Sequence, residues 1–185
     1  MHIIGGEFRR RAIATPKGSA TRPTSARLRE AVFNICRPDI LDARFLDICA
    51  GSGAMGLEAL SQGAAYALFI ENNHLAIQAI LQNIKSFAVS ERTKLISKDA
   101  HVALKQILRD NLTFTLCYID PPYHQKELLL DIITFLDQNR SLIAPGGTIF
   151  VEDAADSFVD GLVLNQLSLE SRRKIGDTTL YVFKN

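Results

Sequence analysis

The sequence predicts a doubly wound α/β fold, and three observations predict it. Short apolar runs, nearly continuous rather than alternating, are separated by helical segments of about ten residues. That is the pattern of a parallel sheet covered on both faces. Acids and glycines gather where the runs end, the edge at which open sheets of this kind bind ligands. Beyond Glu152 the alternation stops, and two strand-like runs with no helix between them predict a terminal antiparallel hairpin on the mostly parallel sheet.

The elements follow in order. Residues 1–30 carry seven basic side chains against two acidic ones, so this short basic extension holds a net +5 and the remaining 155 residues sum to −4. Such a division suits a protein that grips a polyanion with one end, although a solvated basic tail gives the same count. "TSARLREAVFNIC" places Leu28, Val32, Ile35 and Cys36 at helical spacing, with Ser25 or Thr24 as the cap. Strands are then expected in "RFLDICA", "AYALFIE", "TKLIS", "FTLCYID" and "GGTIFVED". Helices are expected in "AMGLEALSQ", "NHLAIQAILQNIKSF", "AHVALKQIL" and "KELLLDIITFLDQ". The tail "GLVLNQLSLESRRKIGDTTLYVFKN" reads as two strands joined by a basic turn at Arg172, Arg173 and Lys174.

At 185 residues and 47% hydrophobic side chains, the chain suits one domain with a single good core. Residues 1–40 form its basic arm and first helix, and residues 41–185 its core. No apolar stretch has the length of a signal peptide, and the longest run, "LLLDIITFL", is short and carries Asp131. The expectation is a cytoplasmic protein with no membrane partner. Cys36, Cys49 and Cys117 lie far apart with no metal-ligand spacing, so they are expected to be small core residues and no metal site is expected.

The first strand end gives "LDICAGSGAMGLEAL", where Gly51, Gly53 and Gly56 satisfy GxGxxG and Glu71 ends the next strand. Read alone, this is a dinucleotide fingerprint, or a tight turn with no ligand, with Glu71 capping the following helix. Two acids favour S-adenosyl-L-methionine instead. Asp47 precedes the glycines, where it repels a pyrophosphate but can hold an ammonium directly or through water. Asp99 ends the third strand, in place to accept from an adenine amine, while Glu71 takes the ribose hydroxyls.

The fourth strand ends in Asp120-Pro121-Pro122-Tyr123. Consecutive prolines hold the backbone extended and leave the Asp120 and Pro121 carbonyls uncommitted to a helix. A nucleobase amine is a poor nucleophile until acceptors take its hydrogens, localise its lone pair and stabilise the charge that develops on nitrogen. Asp120 and the loop carbonyls can do that without a metal, and Tyr123 offers a face for a flipped base. An ordinary turn and a half-buried aromatic would carry the same letters.

"DPPY" following "DICAGSGAMGLEAL" resembles the class I, Rossmann-like, amino-group-modifying methyltransferases. "IIGGEFRRR", "TRPTSARLREAVFN" and "LDICAGSGAMGLEALSQGA" extend the likeness over nearly the whole length to the RsmD-like bacterial 16S ribosomal RNA guanine-N2 methyltransferase family. The resemblance implies S-adenosyl-L-methionine contacts at Asp47, Gly51, Ser52, Gly53, Glu71 and Asp99, with Asn72 and Ala100 beside them. It implies catalysis at Asp120, Pro121 and Tyr123, and RNA engagement by Arg9, Arg10, Arg11, Arg22 and Arg27. The implied partner is 16S ribosomal RNA within a small-subunit particle. The family usually has a glycine between its N-terminal arginines, and this chain has Arg10 there. An N6-adenine methyltransferase would use the same DPPY, but such DNA enzymes commonly carry a separate recognition domain for which 185 residues leave no room. A nicotinamide-dependent oxidoreductase, or a nucleotide-binding module without catalysis, explains the glycines and leaves Asp47, DPPY and the arm unused.

Overall fold

The apolar runs become strands of one seven-stranded sheet in a computed structural model that describes residues 1–16, 24–122, 125–153 and 162–185. After helix α1 (Ala26–Cys36) the chain runs β1 (Arg44–Ile48), α2 (Ala54–Ser61), β2 (Tyr66–Ile70), α3 (His74–Phe87), β3 (Thr93–Ile96), α4 (Ala100–Arg109) and β4 (Phe114–Ile119). It continues through α5 (Lys126–Gln138), β5 (Ile143–Asp153), β6 (Ser168–Ile175) and β7 (Thr178–Lys184). The sheet order is β3-β2-β1-β4-β5-β7-β6, with β1 to β5 parallel and β7 antiparallel to both β5 and β6. The order reverses at β1, which pairs with β2 on one side and β4 on the other. A doubly wound sheet opens its ligand crevice at such a point.

Alternate strand residues feed two cores. Phe45, Phe69, Leu116, Tyr118, Phe150 and Val182 pack against α1, α2 and α3 through Val32, Leu57 and Ile80. Their neighbours Leu46, Leu68, Cys117, Ile149, Tyr181 and Phe183 pack against α4 and α5 through Leu104, Ile107 and Ile133. This two-residue period decides which strand-end acids share a face. Helix α1 starts at Ser25, whose hydroxyl accepts from the Leu28 amide, and α3 starts at Asn73. The third glycine of the loop is fixed by packing: a Cβ on Gly56 would lie 2.3 Å from the buried Phe69 ring.

The basic arm is built into the body. His2 and Ala12 form an antiparallel bridge, and Ile3, Phe8 and Ile13 are buried in the same core as β1 and β2. The turn of this hairpin docks on α2, where the Ile4 and Gly5 amides donate to Glu58 at 2.9 and 2.8 Å and the Phe8 amide donates to Ser61 Oγ. Arg29, counted with the arm's charges, is buried and paired with Glu58 at 3.4 Å. Arg10 holds φ +69°, the left-handed conformation that a side chain disfavours by about 1–2 kcal/mol. The turn keeps a glycine's geometry without the glycine. Arg10→Gly is expected to stabilise the protein by about 1 kcal/mol, which for this length raises Tm by about 2–4 °C in a thermal melt; an unchanged or lower Tm would show that Arg10 makes compensating contacts.

Two expectations fail here for local reasons. Arg172, Arg173 and Lys174 belong to β6, and the hairpin turns instead at Gly176–Asp177, because a two-residue turn needs the positive φ that Gly176 supplies at +65°. Cys49 leaves the core: it sits at φ +61° just after β1 and lines a cavity, whereas Cys36 and Cys117 are buried as expected.

Candidate active site

The crevice beyond the ends of β1 to β4 is a cavity of about 760 Å³, a size that suits a cofactor-sized ligand. Its lining includes Asp47, the 49–55 loop, Glu71 to Asn73, Asp99, Ala100, Asp120 and both prolines. The N-terminal segment closes one side with Met1, Thr15 and Thr24.

Each predicted cofactor residue has a definite structural task. Asp47 is buried beneath the glycine loop and accepts the Gly56 amide at 2.9 Å, tying the strand to the first turn of α2. Burial pushes its carboxyl up to about 8, the Gly56 amide opposes that, and the charge of Glu71 adds to it. Glu71 accepts the Gly51 amide at 2.8 Å on one oxygen and the Asn72 and Asn73 amides on the other. It therefore clamps the glycine loop to the end of β2; the cap of α3 is Asn73 rather than Glu71. Asp99 caps α4 through the His101 amide and faces the same cavity, with Ala100 beside it. Gly51 at φ +55° has nothing within 4 Å of a would-be Cβ, so its backbone meets open space, while Gly53 at φ +75° begins α2 without a side-chain cap. The Ser52 carbonyl is held by Asn83 Nδ2 at 2.9 Å.

Asp120 follows β4 and its amide donates to Ile48 O across the switch point. The Thr24 hydroxyl donates to its Oδ2 at 3.4 Å. Its carboxyl is held well above the ordinary range, first by burial, then by the charges of Glu152 and Asp47. Pro121 and Pro122 continue the cavity wall, and Gln125 N donates to Pro122 O. Tyr123 lies outside the described residues, as does Arg22.

The arginines divide. Arg9 and Arg10 are exposed on the hairpin, and Arg11 lies 4.3 Å over the Phe87 ring with a bond to Ser86 O. Ser86 and Phe87 end α3 while Asn73 begins it at the cavity, so a helix rise of about 1.5 Å per residue puts the hairpin arginines roughly 20 Å from the ligand site. Arg27 is exposed in the first turn of α1, close after Thr24.

Glu152, absent from the expected site, ends β5 beside this group. It is buried, and the Tyr118 hydroxyl donates closely to its Oε2. The sequence carries a signal for it: Phe150 and Tyr118 face α1 to α3, so counting by two puts Glu152 and Asp120 on that face in adjacent parallel strands.

A family model described as Conserved hypothetical protein 95 matches residues 1–184. The chain is 35% identical over 157 residues to the Ribosomal RNA small subunit methyltransferase D of Escherichia coli (strain K12), covering 85% of this chain and 76% of that one. It is 32% identical to the protein of the same name from Haemophilus influenzae, covering 84% and 80%. A solved structure of a hypothetical protein from Thermus thermophilus superposes with a TM-score of 0.80 at 28% identity, over 98% of each chain.

Proposed function

Since this chain belongs to the Conserved hypothetical protein 95 family, we propose that it is an S-adenosyl-L-methionine-dependent methyltransferase acting on the exocyclic N2 amine of a guanine in 16S ribosomal RNA. The observation that carries the reading is the charge of the cavity: four carboxylates, Asp47, Glu71, Asp99 and Asp120, line it against one lysine side chain, Lys98, among the described residues. Such a wall suits a ligand with a sulfonium and an ammonium and repels a pyrophosphate. The relatives named as small-subunit ribosomal RNA methyltransferases support the RNA substrate.

S-adenosyl-L-methionine supplies the methyl group. Asp47, from beneath the loop, favours the ammonium; Glu71 has an acceptor site left for a ribose hydroxyl after its three amides; Asp99 presents a carboxylate to the adenine amine. Gly51, Ser52 and Gly53 let the backbone approach, and Asn72 and Ala100 flank the adenosine. Asp120 and the Pro121 carbonyl accept the hydrogens of the target amine and aim its lone pair, and Tyr123 stacks on the flipped base. Arg9, Arg10 and Arg27, joined by Arg22, contact phosphates on a substrate large enough to reach from the cavity rim to the hairpin. Arg11 serves mainly to fasten the hairpin to α3.

Incubation with labelled S-adenosyl-L-methionine and either naked 16S RNA or small-subunit particles, followed by nucleoside mass spectrometry, tests this directly. N2-methylguanine in the particle arm is expected; N6-methyladenine, or NAD binding with no S-adenosyl-L-methionine binding, overturns it. Changing Arg9, Arg10 and Arg27 together to Ala is expected to leave cofactor affinity unchanged and to weaken RNA binding. The slope of log affinity against log salt should flatten by about one unit or slightly less for each phosphate that is no longer neutralised. An unchanged slope would remove these arginines from the RNA surface.

A further inference from the structure

Three buried acids share the sheet face beneath the target site, and the methyl-transfer reading uses only two of them. Glu152 is 4% exposed, takes the Tyr118 hydroxyl on Oε2 and is hydrogen-bonded to Asp120. A second, water-sized space of about 10 Å³ lies on the far side of the diproline from the cofactor cavity, bordered by Pro121, Pro122, Lys126, Glu152 and Asp153. Glu152 is the group that touches both Asp120 and this outlet.

Resting on the methyltransferase reading, we propose that Asp120 and Glu152 form one proton-sharing pair, in which Glu152 is a positioning residue that sets the protonation of Asp120 and passes the proton released by the methylated amine to solvent through the outlet beside Lys126. Two carboxyls in one buried site cannot both ionise, so the pair carries one proton and one negative charge at rest. When the amine lone pair forms the N–C bond, the C–S electron pair stays on sulfur and the nitrogen becomes cationic. One N–H bond then breaks, its electrons remain on nitrogen, and the proton adds to Asp120. The pair, now neutral, gives a proton from Glu152 to water and regains its charge.

The surroundings agree with a singly charged pair. Tyr118 faces it from β4, Asp47 from β1, Asp153 from β5 and Cys49 from the loop after β1. Glu71 and Asp99 add negative charge across the cavity. The two nearby cations are committed elsewhere or peripheral: Arg29 is paired with Glu58, and Lys126 borders the outlet. Burial and the charge of Glu152 both push the Asp120 carboxyl up, which makes it a stronger proton acceptor when ionised.

Carboxyl 13C NMR of the full chain, without cofactor or RNA, reads the pair independently of turnover. Glu152→Gln keeps the shape and removes the like charge, so the Asp120 midpoint is expected to fall by at least about 1 unit. Tyr118→Phe removes a donor to Glu152 and is expected to move the same midpoint upward. The acid limb of the kcat–pH profile should move in the same directions. If both variants fold and the Asp120 midpoint stays fixed in each, the pair is overturned. Wild-type protein that methylates no RNA would instead remove the functional reading and leave the titration result standing.

Discussion

The Asp120→Ala variant is expected to bind S-adenosyl-L-methionine with nearly wild-type affinity and to lose at least about 10²-fold in kcat. The carboxylate lies at the β4 end of the cavity, hydrogen-bonded to Thr24 and Glu152 rather than to the glycine loop that Asp47 and Glu71 organise. Its removal takes a positioned acceptor from the target amine and leaves the cofactor cradle intact. Stability gives an independent readout with a different sign. Asp120 is buried beside the like charges of Glu152 and Asp47, so losing it relieves repulsion, and the melting temperature should hold or rise while turnover collapses. Isothermal titration, single-turnover kinetics and a thermal melt on one preparation separate these effects. Near-normal methylation would take Asp120 out of the mechanism, and a parallel loss of cofactor binding would move it into the cofactor site.

Glu58→Ala is expected to destabilise the fold by about 3–5 kcal/mol, because it leaves the Arg29 guanidinium buried without its counter-charge. Burial already works against the charged guanidinium, lowering its pKa, and its Nε has no partner among the described residues. The same carboxylate holds the Ile4 and Gly5 amides and Gln62 Nε2, so the hairpin loses its fastening to α2 at the same time. Met1 and Thr15 of that segment wall the cofactor cavity, and S-adenosyl-L-methionine affinity should fall with stability. Urea unfolding measures the first loss and calorimetry the second. Replacing both partners, Arg29→Met with Glu58→Leu, should recover much of the stability, since an apolar pair avoids the desolvation penalty. A loss below about 1 kcal/mol in Glu58→Ala would mean that the buried pair is not what secures the hairpin.

The alternation of runs and the acids at their ends are local properties, which is why the sheet, its helices and the placement of Asp47, Glu71, Asp99 and Asp120 around one cavity are legible in the sequence. Glu58 and Arg29 are not. Glu58 sits in a short helix where a glutamate usually faces water, and Arg29 counts as one more charge of a basic arm; their pairing spans 29 residues and depends on tertiary packing. The arm hides its structure for the same reason. Charge summed over residues 1–30 says nothing about Ile3, Phe8 and Ile13 anchoring the segment, or about Arg11 stacking on Phe87. Glu152 is a different case, legible from the two-residue period of β5 once β4 and β5 are set in register.

The two borders of the sheet also bear on how the molecule behaves in a crowd. One border is β3, only four residues long, and the other is β6, an exposed strand that carries Arg172, Arg173 and Lys174 in succession. An unpaired strand invites a second copy to add to it, and a row of cations answers by setting like charge against like charge as two borders approach. Placing these residues in the strand rather than in the turn therefore guards the chain against self-stacking, most of all while newly made copies are close together. Shielding by concentrated salt weakens that guard, so clumping along this border is a hazard of high ionic strength.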